Sequence, residues 1–400
     1  MFIAALIFGL TYLVVALGRL PFGRLDRTGA ALIGASLMVA TGTLSLKEAY
    51  RAIDFDTITL LLGMMIIVGN LRLSGFFGLA TEMIARRAAQ PLVLLAGIVA
   101  VAGVLSAFLV NDTVCLMMTP LVVDIARRLK RRPLPYLLGL AMASNIGSTA
   151  TITGNPQNMI IASLSHIAYR DFATALAPIA VLGLCLALGL IALGHRAEFR
   201  PGAPLPAMTL KPRWNRPLLV VSLVATMVAI AGFFWGIAPP KVAIVVGALL
   251  LLHPIKPMRV YREIDWPLLL LFIGLFIVLA GAEKALLTPA LRHAVEGAGL
   301  GRVPVLTLIA AVLSNLLSNV PAVLALAPFI RDIADPARAW LTLAMAATLA
   351  GNFTILGSIA NLIVVERARR EGVEIGFGAY FRIGAPLTVA SLALGVWWLS

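Results

Sequence analysis

Two short polar segments interrupt long apolar stretches of the chain and contain side chains suited to binding ions. Each places an asparagine five residues after a serine, Asn111 in SAFLVNDTVCLMMTP and Asn319 in SNLLSNVPAVLALAP. Amide oxygens and freed backbone carbonyls at such interruptions can coordinate a cation, and the N-terminus of a following helix attracts an anion. The residue types therefore predict a site for an ion or a small solute.

Asp112, directly after Asn111, is the ionisable residue of these segments. A carboxylate in apolar sequence is costly and is by default a functional candidate, either as a proton carrier or as a cation ligand. Its alternative role is to cap the helix that follows, where the helix dipole favours negative charge. The second segment has Val320 at this position, so Asp112 is the candidate for proton coupling.

Two further polar segments follow, SNIGSTATITGNPQNMII from Ser144 and AGNFTILGSIANLIVV from Ala350. Their glycines permit a backbone turn and a close approach to a ligand. Four such segments can converge on one site, so we predict that the substrate- and ion-binding residues are Asn111, Asp112, Thr113, Thr153, Gly154, Asn155, Asn158, Ser318, Asn319, Asn352, Thr354, Gly357, Ser358 and Asn361.

The composition places these segments in a membrane. Hydrophobic residues make up 60% of the 400 residues, charged residues 12%, and the mean hydropathy is +0.98. These values indicate an all-α, multi-pass membrane protein. Apolar runs of spanning character cover residues 1–19, 28–46, 56–71, 172–194, 217–236, 240–253, 266–282 and 379–399. The first run lacks a basic N-terminal region and is followed by arginines, which predicts a retained span with its N-terminus outside.

The net charge of +14 does not indicate a nucleic-acid partner, because the basic residues occur in short bursts between apolar runs. Under one topology, 23 of the 32 basic residues lie on the cytoplasmic side. Cys115 and Cys185 are isolated, and the sequence contains no Cys/His cluster. We therefore expect no metal cofactor, apart from an optional sodium ion near Asn111, Gly154, Asn319 or Gly357.

The first polar segment lies within residues 91–128, which we interpret as a re-entrant helical hairpin. Arms of about ten to fourteen residues would reach only about 15 to 21 Å, short of the ~30 Å hydrocarbon core. A broken span is predicted at 135–168. The second half repeats this order, with a hairpin at 303–335 and a broken span at 339–365.

Residues of the first half recur in the second half at similar offsets. The offset is 211 for Asp54 and Asp265, 208 for Asn111 and Asn319, and 203 for Gly154 and Gly357. The charge distribution gives the two copies opposite orientations, as in the inverted-topology repeats of secondary transporters. The predicted domain organisation is N-terminal scaffold spans at 1–48, a first repeat at 49–194, a cytoplasmic linker at 195–216 and a second repeat at 217–400 ending in the span 379–399.

The four motifs resemble those of the ion transporter superfamily, which includes divalent anion/sodium symporters, arsenite/antimonite permeases and proteins with a citrate-transporter-like domain. Val110-Asn111-Asp112 and Ser318-Asn319-Val320 look like its Ser-Asn-Thr signatures, and GNPQN and GSIAN look like its broken-span motifs. The resemblance implies a scaffold and a transport domain, a homodimer, elevator-type alternating access, and cation and substrate sites that include Asn111, Asn319, Gly154 and Gly357.

The resemblance also bears on the substrate. In the dicarboxylate branch the signature threonines help to hold carboxylates, whereas this chain has Asp112 and Val320, and Asp112 would repel an anion. The arsenite-permease-like branch is similar in having Asn-Asp-Thr. We expect a proton-coupled secondary transporter of a small inorganic or organic anion or weak acid in a bacterial-type inner membrane. The alternatives are a sodium/proton antiporter and a sodium-coupled dicarboxylate symporter. A membrane-embedded enzyme is disfavoured because the sequence lacks a catalytic constellation.

Overall fold

The computed structural model describes residues 2–18, 25–200, 205, 213–286, 288, 297, 299–331 and 333–400, and the regular structure in these ranges is helical. The first half contains α1 Phe2–Leu17, α2 Arg27–Ala40, α3 Leu46–Ala52, α4 Phe55–Ser74, α5 Phe76–Arg87, α6 Pro91–Phe108, α7 Asn111–Arg128, α8 Pro133–Ser148, α9 Pro156–Ser165 and α10 Tyr169–Gly194.

The second half repeats this order of elements over its described ranges. It contains α11 Arg216–Phe234, α12 Pro239–Leu250, α13 Pro257–Tyr261, α14 Trp266–Leu286, α15 Val303–Leu317, α16 Asn319–Ile330, α17 Pro336–Ala350, α18 Ile359–Arg370 and α19 Phe377–Leu399. Much of the predicted linker 195–216 lies outside the described residues, as does most of the interfacial stretch expected after α14.

In the described part of the chain, six helices are long and apolar enough to cross a membrane, namely α4, α6, α10, α11, α14 and α19. Shorter apolar helices are α1, α2, α12, α15 and α16. Each of the eight predicted apolar runs contains a helix. The prediction of an all-α, multi-pass membrane protein is thereby confirmed at this level.

The predicted arm length of the first hairpin is wrong. Helices α6 and α7 have 18 residues each, or about 27 Å, and α6 qualifies as a spanning helix. Helix α7 is longer than expected because it continues through Pro120, and because Asp124 and Arg128 form a 2.8 Å ion pair one turn apart on it. Arm length therefore does not support a re-entrant hairpin here.

Two glycines explain how the halves pack together. Helix α4 packs against α12 of the other half, and α14 packs correspondingly against α2. A Cβ on Gly63 would lie 2.4 Å from the backbone of Ala243, and one on Gly274 would lie 2.7 Å from the backbone of Ala31. Because only glycine permits this approach, the matched pair Gly63 and Gly274 brings the two helix pairs into close contact.

The packing pattern of the polar segments also recurs between the halves. Helix α7 packs on α18, and its counterpart α16 packs on α9. The hairpin α6–α7 therefore contacts the broken helix α17–α18 of the other half, and the hairpin α15–α16 contacts the broken helix α8–α9. In addition, α1, α2 and α3 correspond in order to α11, α12 and α13, so the correspondence extends to the helices that precede residue 49.

Candidate functional site

Both hairpins turn on a strained residue. Val110 has φ 64° and Ser318 has φ 75°, in each case directly before the tip asparagine. For a β-branched valine this left-handed backbone conformation is an outlier. Such conformations persist only where the surrounding structure imposes them, and they cluster at functional sites. We call Val110–Asp112 the first tip and Ser318–Val320 the second tip.

The two tips meet at a cavity of about 40 Å³, called here the central cavity. That volume is several times what one water molecule needs, which suits an ion or a small solute. The polar residues that line it are Arg27, Asn111, Asp112, Gln157, Ser318, Asn319 and Ser358. The tertiary structure thus brings together residues from both tips and both broken helices.

Asp112 also lines a second cavity of about 120 Å³, called here the side cavity, together with Asp265, Thr113 and the ion pair of Arg72 and Glu263. That ion pair is 2.6 Å long. The Asp112 carboxylate is half-buried and has no hydrogen-bond or ion-pair partner among the described residues. It lies in the first turn of α7, where the helix dipole favours negative charge, makes no capping hydrogen bond, and lines both cavities.

Two corresponding asparagines stabilise the interruptions between α8 and α9 and between α17 and α18, which we call the first break and the second break. The Nδ2 of Asn158 donates to the carbonyls of Ser148 (3.1 Å) and Thr151 (2.9 Å). In the second half, the Nδ2 of Asn361 donates to the carbonyls of Gly351 (2.7 Å) and Thr354 (3.1 Å). Each break contains a single 3₁₀ turn, Ile152–Gly154 or Ile355–Gly357. The asparagines thus satisfy carbonyls that the interrupted helix leaves free.

The glycine of the first break is required sterically. A Cβ on Gly154 would lie 2.2 Å from the carbonyl oxygen of Ser148, the same oxygen that accepts from Asn158. The second break is less tight, since a Cβ on Gly357 would lie 2.8 Å from Oδ1 of Asn315. Gly154 therefore allows the two sides of the first break to touch.

Asn145 connects the two halves and is not among the residues predicted from the sequence. Its Nδ2 donates to Oδ1 of Asn352 and of Asn361, at 2.9 Å each. Its Oδ1 accepts from Nδ2 of Asn111 (3.2 Å) and from Oγ of Ser358 (3.0 Å). The fully buried amide thereby joins the first tip to the second break.

The remaining predicted residues have more local partners. Thr153 shares a 2.8 Å hydrogen bond with the hydroxyl of Tyr169. The side chain of Asn155 caps α9. Thr354 lies 3.5 Å from Asn315, at the limit of a hydrogen bond. These contacts position the breaks, and none of these three residues lines the central cavity.

Two buried side-chain oxygens of the site have no partner in the described part of the chain, Oδ1 of Asn111 and Oδ1 of Asn158. Asn111 is 3% exposed and Asn158 is 0% exposed. Buried polar atoms are normally paired, so these two require an explanation, which an ion or a substrate donor would supply.

Arg27 and Gln157, like Asn145, belong to the site but are missing from the prediction. Gln157 lies inside the GNPQN motif, and Asn145 lies in the polar run that leads into it, so a search for every amide in these segments would have found both. Arg27 is the first residue of α2 and lines the central cavity, and its position just after the first apolar run gives no sign of this in the sequence.

The helical hairpins, broken helices and shared polar cavity are typical of a polytopic membrane transporter. The chain belongs to the citrate transporter family, a branch of the ion transporter superfamily, because the sequence profile described as "Citrate transporter" matches residues 12–350. The predicted superfamily membership is thereby confirmed.

Several curated relatives match nearly the full chain. A transporter of Mycobacterium tuberculosis is 30% identical and covers 98% of both chains. The silicon efflux transporter LSI3 of Oryza sativa is 28% identical, covering 97% of this chain and 95% of its own. The transporter arsB of Dictyostelium discoideum is 25% identical, covering 99% and 90%.

The fold is also similar to the crystal structure of the YdaH transporter of Alcanivorax borkumensis. That similarity has a TM-score of 0.63 and 16% sequence identity, and it covers 100% of this chain and 96% of the other. At this identity it bears on the fold alone.

Proposed function

We propose that this protein transports a small inorganic or organic anion or weak acid, and that a proton carried by Asp112 drives the transport. The observation that carries the proposal is the Asp112 carboxylate, which lines both cavities and has no partner among the described residues. A carboxylate in this position can take up a proton from one side and release it to the other.

The nature of the cargo is argued from charge and from the relatives. Ionised Asp112 would repel a dianion, which disfavours a sodium-coupled dicarboxylate symporter. A weak acid that loses or gains a proton with Asp112 avoids this conflict. The relative named for silicon efflux supports an inorganic weak acid as one class of cargo.

For the transport cycle we propose elevator-type alternating access between two inverted repeats, in which both hairpins are re-entrant. The first repeat is 49–194 together with the preceding helices α1 to α3, and the second is 217–400. The supports are the recurring order of elements and the exchanged packing of α7 on α18 and α16 on α9. Charge counting supports an N-terminus outside a bacterial-type inner membrane. A homodimer completes the proposal by family resemblance.

A second candidate is sodium coupling, as in a sodium/proton antiporter. The unpartnered oxygens of Asn111 and Asn158 favour it, because sodium is bound through oxygen ligands at such breaks. Gly154 would contribute by bringing the backbone close. Sodium and protons are thus the two candidate coupling ions.

The test is solute flux into proteoliposomes for arsenite, antimonite, silicate, sulfate, phosphate, citrate and succinate, with the proton and sodium gradients varied separately. We expect proton-driven flux of at least one solute, and Asp112→Asn should reduce it at least about tenfold while leaving solute exchange intact. Asp124→Asn is the matched control, since Asp124 is exposed at the foot of α7. Flux that follows only a sodium gradient and survives Asp112→Asn would contradict proton coupling.

The inverted topology has its own test. Arg132 and Arg302 are exposed at the feet of the two hairpins. In a cysteine-free background, Arg132→Cys should react with a membrane-impermeant reagent from the cytoplasmic side only, and Arg302→Cys from the outside only. Labelling of both from one side would refute inversion.

A further inference from the structure

A groove of about 470 Å³ lies between α5, α6 and α11, and it shares no lining residue with the central cavity or the side cavity. Its lining is apolar and includes Leu79, Met83, Val104, Leu219 and Leu223. Met83 is 45% exposed and Val104 is 58% exposed, so the groove opens to the surroundings of the protein. We call it the apolar groove.

The surroundings of the apolar groove are lipid. Helices α6 and α11 are both long and apolar enough to cross a membrane. On α11 the apolar side chains of Val220 and Val224 are also exposed, at 53% and 57%. A groove without polar side chains gives water no hydrogen-bond partners, so hydrocarbon is the occupant that suits it.

Arg216 lies beside one end of the groove. It is the first residue of α11, and the lining residues Leu219 and Leu223 follow three and seven residues later. Residues with this spacing share one face of a helix. The positive charge of Arg216 is therefore one helical turn away from the lining.

Arg213 lies at the same end, because its segment packs against the start of α5. The backbone N–H of Asn215 donates to the carbonyl of Ser74 at 2.9 Å. A Cβ on Gly75 would lie 2.5 Å from the carbonyl oxygen of Arg213. The next residue, Phe76, lines the groove.

The arginines of this region differ in whether their charge is neutralised. Arg72 forms a 2.6 Å ion pair with Glu263, and Arg86 forms one of 2.8 Å with Glu82. The two arginines of the segment 213–216 are exposed and have no ion-pair partner in the described ranges. A second copy of this surface would add the same positive charges, whereas a phosphate group would neutralise them.

Trp214 lies between the two arginines in sequence and is 47% exposed. Tryptophan is enriched where a membrane meets water, since its ring is apolar and its N–H is polar. The apolar groove, the interfacial indole and the two free guanidinium groups thus match, in order, the acyl chain, the interface and the phosphate of a lipid.

We infer that the apolar groove binds an acyl chain of an anionic phospholipid whose phosphate contacts Arg213 and Arg216. Because α6 is an arm of the first hairpin and α11 begins the second half, this lipid touches both halves and stabilises their contact. The inference does not depend on which solute or coupling ion the protein carries.

The test measures lipid binding to the delipidated protein in one detergent. Native mass spectrometry counts the bound lipids, and thermal unfolding is titrated with phosphatidylglycerol, phosphatidylcholine or inorganic phosphate. Phosphatidylglycerol should be retained at one molecule per chain and should raise the unfolding temperature along a saturating curve. Phosphatidylcholine should bind more weakly, and inorganic phosphate should have no effect.

The headgroup contact is tested by the double variant Arg213→Gln/Arg216→Gln. It should weaken the affinity for phosphatidylglycerol at least about tenfold, because each basic residue near the headgroup adds to the attraction. Arg51→Gln/Arg302→Gln is the matched control, since it removes the same charge from two exposed arginines on α3 and before α15. The control should bind phosphatidylglycerol as the unaltered protein does.

The acyl-chain contact is tested by Ala100→Trp, which places a large ring in the groove at an exposed lining position. Retention of both lipids should fall. Val181→Trp on α10 adds the same ring to a 58% exposed position outside the groove and should leave retention unchanged. Val104→Trp serves if Ala100→Trp does not fold.

Three results would overturn the inference. One is equal binding of phosphatidylglycerol by the double arginine variant and its control. Another is stabilisation by inorganic phosphate as large as that by phosphatidylglycerol, which would assign the arginines to a free anion. The third is a change of oligomeric state in Ala100→Trp with lipid retention unaltered, which would assign the groove to a second copy of the chain.

Discussion

The Oγ of Ser163 donates a 2.9 Å hydrogen bond to Oδ1 of Asp54 and so fastens α9 to the start of α4. The corresponding residues in the second half are Asp265 and Glu366, two carboxylates that make no contact of this kind in the described ranges. Asp265 instead lines the side cavity with Asp112. A hydrogen bond thus connects α4 with α9, whereas the side cavity lies between the corresponding helices α14 and α18.

We predict that Ser163→Ala loosens the contact between α4 and α9. Losing this hydrogen bond should cost about 1 kcal/mol. That cost should shift the equilibrium between contact and separation of α4 and α9 about fivefold towards separation. The measurement is the alkylation rate of Ala162→Cys, which lies on α9 at a cavity shared with Asp56. The rate should rise in the double variant. Ser165→Ala, whose hydroxyl bonds only within its own turn, is the control, and an equal rise there would contradict the role of Ser163.

Gly147→Ala should lower the free energy of unfolding by about 1 to 3 kcal/mol. A Cβ at Gly147 would lie 2.1 Å from the carbonyl oxygen of Gly103, so α6 and α8 would have to separate. Gly189→Ala on α10 is the control, because a Cβ there meets nothing within 4 Å. It should be neutral or stabilising by up to about 1 kcal/mol. Thermal unfolding in detergent gives both values, and equal effects would refute the steric argument.

Glu48 should not contribute to any pH dependence of transport between about pH 5 and 8. Hydrogen bonds from Lys284 and then from Ser45 lower the pKa of Glu48 to about 2. Because the folded-state pKa is depressed, its stabilising contribution is complete above the ordinary value of 4.5 and is lost only as the pH falls towards about 2.

Glu48→Gln should therefore lower the unfolding temperature by the same amount at pH 5 and pH 8, and should leave the pH profile of flux unchanged. Asp112→Asn, measured alongside, should flatten that profile. A change in the profile caused by Glu48→Gln would show that the ion pair with Lys284 takes part in proton coupling.

Arg27→Gln should raise the KM for an anionic solute about tenfold, which corresponds to about 1.4 kcal/mol. Arg27 lines the central cavity, and no carboxylate lies within ion-pair distance of it in the described ranges. Its charge is therefore free to attract an anion. Flux assays against solute concentration measure the effect, with exposed Arg51→Gln on α3 as the control. An unchanged KM for every anion tested would remove Arg27 from the substrate site.

Much of the fold could be predicted from local properties of the sequence. Apolar runs predict the helices, and the matched Asp54 and Asp265 each accept a hydrogen bond from the first turn of a helix. The offset of 203 between Gly154 and Gly357 also pairs Asn158 with Asn361, which make equivalent hydrogen bonds to their breaks. These features are encoded within a few residues of chain, where composition and spacing are informative. The predicted arms of the first hairpin are too short because Asp124 and Arg127, which follow the apolar arm directly, lie within α7 and do not end it.

The sequence alone determined that this is a multi-pass helical membrane protein with two matched pairs of polar interruptions. Only the tertiary structure decided that the halves satisfy each other unequally. The bond from Asn145 to Asn361 joins residues 216 positions apart. Arg27 likewise reaches the cavity only because α2 docks on α14. Such contacts depend on how whole helices pack, and hydrophobic periodicity does not encode which buried amide meets which oxygen.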